Sequence, residues 1–368
     1  MKSIFMTPSG VNRPATDGLA SPGMSHRSPR FVPILKDVRN RVVRCLGGDE
    51  RYGSVLLGTS GTGAVEAMMG AARDPVLIIE NGRYSRRLTA IAAAQGHEVR
   101  SLHVEDFDLI DEATVGRALA ASPRPRTLAL VHCETTTGVL APLQGICGLA
   151  AGLGVNTMVD AVGSVGAHSP GLGQTGPDWL AAGSGKGTEA IPGLSFVVAR
   201  RSLLADAEPG RAGYLLDVGR NWKAQEAGAA AHTLPIPLVV ALNEALRRWE
   251  SETPAARERR YTRTATALRK GLQEHGFEIV PLHEEARSNV VIPVVLPLGV
   301  DFAQVQAELV ERDMEVYYSE DAQARGYFVL AHIGGVDPDA FEEFLRALTT
   351  SCRAQLTPAL PQGGECRA

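Results

Sequence analysis

Between about residues 55 and 200, short apolar runs alternate with stretches of helical periodicity, and this alternation constrains the fold more than any other feature of the chain. VLIIE (76–80), TLALVH (127–132), NTMVDA (156–161) and LSFVVA (194–199) have the length of strands, and segments such as AVEAMMGAA and LQGICGLAAGLG alternate with them. Runs apolar throughout need cover on both faces, which helices provide when they cross from one parallel strand to the next. The expectation is an α/β fold with a mostly parallel sheet. In such folds ligands gather at the carboxyl ends of the strands.

With 368 residues the chain exceeds the usual ceiling for one hydrophobic core, so a second, smaller domain is expected. Two charged, helix-period stretches near 237–250 and 254–275 lead into it. Beyond them FEIVPL, NVVIPVVLP, MEVYY and YFVLAHI read as strands, and 301–312 and 337–349 read as helices. The expected division is an N-terminal segment over 1–20, a large domain over 21–254, a smaller C-terminal α+β domain over 255–350, and a loose Pro- and Gly-rich tail over 351–368. A net charge of -4 gives no electrostatic footprint for nucleic acid or an anionic membrane. No run approaches the roughly eighteen apolar residues of a membrane span. The cysteines at 45, 133, 147, 352 and 366 form neither a close-spaced metal motif nor an even-numbered disulfide framework. They read as free thiols in a reducing compartment, which points to the cytoplasm.

Three places carry chemistry. Thr59-Ser60-Gly61-Thr62-Gly63 follows the apolar SVLLG and opens a helical pattern; small residues and a helix N-terminus together suit a phosphate, or simply a helix cap. Asp160 ends the strand NTMVDA ahead of Gly163 and Ser164. A carboxylate in so apolar a setting needs a compensating partner, such as a protonated pyridine nitrogen, unless it serves only as a turn cap. Lys186 lies among small residues in Ala182-Gly183-Ser184-Gly185-Lys186-Gly187-Thr188, between WLAA and an apolar strand. A lysine crowded in this way has a lowered pKa and can form an imine with an aldehyde.

The order is informative: a phosphate-type loop, then an Asp ending a strand, then a Lys 26 residues later (186 minus 160). With TPSGVNRPA, MSHRSPRF, SGTGAVEAM, NGRYSRR, HCETTTGVLAPL, VDAVGSVGA, GSGKGTEAIPGLSFVVARR and HTLPIPLVVALNEAL, the chain resembles the class V aminotransferases over nearly its whole length. Within them it is similar to the alanine–glyoxylate/serine–pyruvate and 2-aminoethylphosphonate–pyruvate branch. The resemblance implies a fold type I transferase dependent on pyridoxal 5'-phosphate (PLP). It implies that Lys186 is the Schiff-base and proton-shuttling lysine and that Asp160 pairs with the ring nitrogen. Tyr84 would stack on the ring; Ser60, Gly61 and Thr62 would meet the phosphate; and Thr135 or Thr136 would bond the cofactor near its ring oxygen. Ser184 joins these as a cofactor-site candidate. Thr233 in AHTLP would reach the phosphate of a neighbouring subunit, which implies a homodimer.

Two departures from the family pattern stand out. Relatives carry Gln or Asn before the lysine, where this chain has Gly185, so one cofactor contact must be lost or replaced. Relatives also carry an arginine in an R-I-G element of the small domain that grips the substrate's anionic group, where this chain has Val329. Arg27, Arg83, Arg325 and His332 are the candidates for taking over. The resulting expectation is an aminotransferase moving an amino group between a small amine or amino acid and a keto acid or aldehyde. The runner-up is a PLP-dependent lyase, decarboxylase or carbon–carbon bond-forming enzyme.

Overall fold

The computed structural model describes residues 4–7, 10–16, 19, 23–208 and 210–356. In chain order its strands are β1 (Ile4–Met6), β2 (Tyr52–Leu57), β3 (Val76–Glu80), β4 (Val99–His103), β5 (Thr127–Val131), β6 (Cys133–Glu134) and β7 (Val139–Leu140). They continue with β8 (Asn156–Asp160), β9 (Trp179–Gly183), β10 (Ser195–Arg200), β11 (Val291–Val295), β12 (Met314–Val316) and β13 (Tyr327–Ala331). Among the described residues, seven strands form the main sheet in the order β2-β10-β9-β8-β5-β3-β4. Its β9-β8-β5-β3-β4 portion is parallel, and β10 runs antiparallel to both neighbours.

Successive residues of these strands point to opposite faces and feed two cores. Leu77, Ile79, Leu128, Leu130, Val159 and Phe196 enter one, while Val76, Ile78, Ala129, Val131, Met158 and Val197 enter the other. Helices cover both faces, as the continuous apolar runs require. Helix Gly61–Met69, which follows β2, packs on β9 and β10. Its first residue lies against the end of β9: a Cβ on Gly183 would sit 3.5 Å from the Gly61 backbone. The sheet order thereby gathers the ends of β2, β5, β8 and β9 at one edge.

The C-terminal part builds a separate apolar cluster from β11, β12, β13 and the helices Phe302–Val310 and Pro338–Leu356. β11 pairs antiparallel with β13, and Tyr317, just past β12, bridges to Val329 of β13. β1 adds to β12 in parallel, tying the start of the chain to this part. Two expectations are corrected. FEIVPL is not a strand: the helix before it ends at Glu274, and only Ile279 makes an isolated bridge, to Val294. The tail does not begin at 351, because the last helix runs on to Leu356, with Ser351 and Cys352 buried against the core. Residues 357–368 lie outside the described residues, as do parts of the 1–20 segment.

Candidate active site

The strand ends meet in a cleft of about 390 Å³ whose lining includes Thr62, Tyr84, Arg87, Thr135, Asp160 and Lys186. Asp160 is the last residue of β8 and is buried, 8% exposed. Its Oδ1 accepts from the Val162 N–H at 2.9 Å, the turn-forming bond expected of an Asp at a strand end. No side chain among the described residues makes an ion pair with it. Burial therefore dominates and pushes its pKa up to about 6, against the smaller lowering effect of Lys186.

Lys186 lies three residues beyond β9 and is half-buried. Its ammonium makes no hydrogen bond among the described residues, and its Nζ stands 5.8 Å from the centroid of the Tyr84 ring. Desolvation lowers its pKa, with Asp160 opposing. A carboxylate and an amine, each short of partners in one cleft, are a donor set for a cationic ring nitrogen and an aldehyde.

The phosphate-type loop also has the right form. Ser60 is the N-cap of helix Gly61–Met69 but makes no side-chain capping bond, leaving its hydroxyl and the first N–H groups for a ligand. A side chain at 61 would meet Val162 at 2.8 Å, so only glycine lets the backbone lie this close. These residues fit PLP.

Of the remaining candidates, Tyr84 and Thr135 line the cleft, whereas Thr136 does not. The Thr136 hydroxyl donates to Glu134 Oε1 at 2.7 Å. Ser184 is buried and used structurally, donating to the Ile191 carbonyl and accepting from the Leu194 N–H. Thr233 is exposed and away from the cleft of its own chain. Arg27 is exposed, and Arg325 pairs with Asp106 outside the cleft lining. His332 is buried, stacked on Tyr261 with centroids 5.5 Å apart.

Sequence reasoning missed Arg87 and Glu134. Arg87 donates to Thr62 Oγ1 at 3.3 Å and lies over the Tyr84 ring, its guanidinium 4.7 Å from the centroid, with no carboxylate partner among the described residues. Glu134 Oε2 accepts from the Tyr84 and Ser85 N–H groups at 3.0 and 3.2 Å, which seats the helix that carries Tyr84 and Arg87. Its spacing, three residues after Tyr84, puts Arg87 on the same helix face but does not set it apart from other arginines of that helix.

Fold and site together define a PLP-dependent transferase of fold type I. The signature "Aminotransferase class-V" matches residues 15–317. The chain is 31% identical to a 2-aminoethylphosphonate–pyruvate transaminase of Aeromonas hydrophila, over 87% of this chain and 86% of that protein. It is 32% identical to one of Syntrophobacter fumaroxidans, over 86% and 87%. The crystal structure of an alanine–glyoxylate aminotransferase from Nostoc sp. superposes with a TM-score of 0.85 at 26% identity, covering 97% of this chain and 96% of that one. The protein belongs to the class V aminotransferases, and it is a PLP-dependent aminotransferase.

Three buried histidines give the cofactor-free protein a testable acid limit. Desolvation lowers His132 to about 3 and His168 and His332 to about 4, so each stays neutral in the fold while the unfolded chain protonates near 6.5. Their stability is present above 6.5 and lost as pH falls toward 4; Asp160, raised to about 6, offsets roughly one of the three in the same window. The urea unfolding free energy of apoprotein should fall by on the order of 3 kcal/mol between pH 7 and 5.5. A flat profile would show that these histidines are not buried neutral.

Proposed function

We propose that this aminotransferase exchanges an amino group between a small primary amine or amino acid bearing an anionic group, of the 2-aminoethylphosphonate or alanine/serine kind, and a keto acid or aldehyde. The observation that carries the site assignment is that Asp160 and Lys186, both short of partners, line one cleft together with Tyr84.

When bound, PLP supplies an aldehyde that takes up the amine and a cationic ring that draws electrons from the breaking Cα–H bond. Asp160 keeps the ring nitrogen protonated. Lys186 would hold the cofactor through its amine and, once freed by an incoming amine, would serve as the base that takes and returns the Cα proton. Desolvation lowers its pKa, which favours the neutral amine that serves as the base. Tyr84 would cover the ring, and Ser60, Gly61 and Thr62 would hold the phosphate at the helix N-terminus.

Arg87 answers the loss of an amide at 185. Its guanidinium already bonds Thr62 in the phosphate loop and has donors to spare. Next to Tyr84 in sequence, Arg83 Nη1 donates to Tyr317 Oη at 3.4 Å, and Tyr317 is bridged to Val329. This pair is the best-placed replacement for an arginine at 329, because Arg325 is already engaged by Asp106. We further propose a homodimer in which Thr233, exposed here, completes the partner's phosphate site. Residues 21–254 and 255–350 would act as large and small domains. The free, buried cysteines 45, 133, 147 and 352 support a cytoplasmic location. Among the described residues no helix is long and apolar enough to cross a membrane.

Lys186→Ala should abolish both the yellow absorbance of lysine-bound PLP and amino transfer. Asp160→Asn should keep PLP but lose roughly tens to thousands of fold in rate, the cost of removing one charge from a buried pair. Near-normal turnover in either variant would remove that residue from its role. The donor is found by offering 2-aminoethylphosphonate, alanine and serine singly and measuring stoichiometric carbonyl product without an acceptor.

Arg87→Gln should weaken PLP about tenfold or more, the value of one charge-assisted phosphate contact, and shift the phosphorus resonance of bound PLP. Unchanged affinity and resonance would place Arg87 outside the phosphate site. Arg83→Ala should raise KM for anionic amines alone, leaving PLP affinity intact; equal KM values in the variant and the parent would exclude it.

A further inference from the structure

A second cluster of charge adjoins the lysine loop from the C-terminal side of the chain. Directly after Lys186 the backbone turns sharply, with the Glu189 N–H donating to the Lys186 carbonyl at 2.7 Å. Glu189 adopts φ 58, a left-handed conformation that Gly or Asn takes more readily. A glutamate at such a place demands a reason in its side chain.

That side chain is held by three residues of helix Pro254–Glu274. Glu189 Oε1 forms an ion pair with Arg257 Nη2 at 3.1 Å and accepts hydrogen bonds from Arg260 Nη2 at 2.9 Å and Tyr261 Oη at 2.8 Å. The three lie at i, i+3 and i+4 and so share one helix face. Arg257, 2% exposed, also donates to the carbonyl of Gly187, the residue next to Lys186, at 2.8 Å. Glu252 receives both arginines and keeps them in place.

The loop has no slack of its own. A Cβ on Gly187 would lie 1.9 Å from the Val165 carbonyl oxygen, and one on Gly166 would lie 2.1 Å from the Gly187 oxygen. The network also reaches further: Gly334, past the end of β13, donates its N–H to Tyr261 Oη at 3.1 Å, and Ala15 donates to the Glu189 carbonyl at 2.9 Å. The residues one and three places after Lys186 are therefore pinned to a helix outside the main sheet, to the end of β13 and to the N-terminal segment.

We propose that Glu189 is a positioning residue for Lys186, fixing the backbone of the lysine loop to helix Pro254–Glu274 so that the amine stays directed at the reacting atoms. The inference rests on the assignment of Lys186 as the PLP lysine. Glu189 does not itself line the cleft, and its carboxylate is bonded to Arg257, Arg260 and Tyr261 and not to the phosphate loop or the lining residues. Its loss therefore acts on the proton-transfer step and leaves substrate and cofactor binding largely alone.

The test compares Glu189→Ala, Glu189→Gln and Tyr261→Phe with the parent as PLP-loaded enzymes, reading the pH midpoint of the visible absorbance, kcat, KM and Tm. Glu189→Ala should lower kcat about tenfold to a hundredfold, the effect of a small misplacement of a catalytic group. KM should stay nearly unchanged and the absorbance midpoint should move. Glu189→Gln, which keeps an acceptor oxygen, and Tyr261→Phe, which removes one donor, should move both readouts less and in the same direction. A fall in Tm with parental kcat and midpoint would reduce Glu189 to a structural residue and overturn the proposal. If the alanine variant does not fold, parental values in both milder variants overturn it equally. A parent enzyme without Lys186-dependent visible absorbance would instead bring down the cofactor assignment itself, and this inference with it.

Discussion

The carboxylate of Asp160 is buried at the end of β8 with one turn-forming hydrogen bond and no ion-pair partner among the described residues, and the rest of the site is arranged around that uncompensated charge. A lone buried carboxylate is costly to a fold, and here the cost shows as a pKa pushed up to about 6. Lys186 moderates it without cancelling it, because the lysine is itself desolvated. The mutual deficit is what a cationic ring and an aldehyde satisfy. On the proposed assignment, a cofactor completing this cleft would favour the folded state.

What holds these two groups near each other is the strand order. β8 sits between β5 and β9, so the ends that carry Asp160, the residues after Val131 and the Lys186 loop are neighbours in space though far apart in sequence. Close packing of small residues does the rest: glycines at 61, 183 and 187 stand where a Cβ would meet a neighbour at 3.5 Å or less, so helix, strand and lysine loop interlock at backbone level. Glu134 then locks the N-terminus of the helix that delivers Tyr84 and Arg87.

Much of this was legible in the chain itself. Strands β3, β5, β8 and β10 announce themselves as apolar runs because both faces of the sheet are covered. Asp160 and Lys186 stand out as charges amid small and apolar residues, although the sequence alone also allowed Asp160 to be a turn cap. Other features carried no local signal. Arg87 looks like any arginine on an amphipathic helix until Thr62 is seen beside it, and the Glu189 network joins residues some seventy positions apart. The pairing of β1 with β12 is equally non-local. FEIVPL has the composition of a strand but no neighbour to pair with beyond a single bridge, and pairing is what makes a strand. The last helix outran its expected end because Thr349, Ser351 and Cys352 keep it buried where Pro- and Gly-rich sequence had suggested a tail beginning at 351.

The central claim, that one cleft built on Asp160 and Lys186 holds PLP through that lysine, is tested most directly by reducing the PLP-loaded protein with borohydride and mapping the modified peptide by mass spectrometry. A single phosphopyridoxyl group on Lys186 is the expected result. Modification of a different lysine, or none at all, would contradict it.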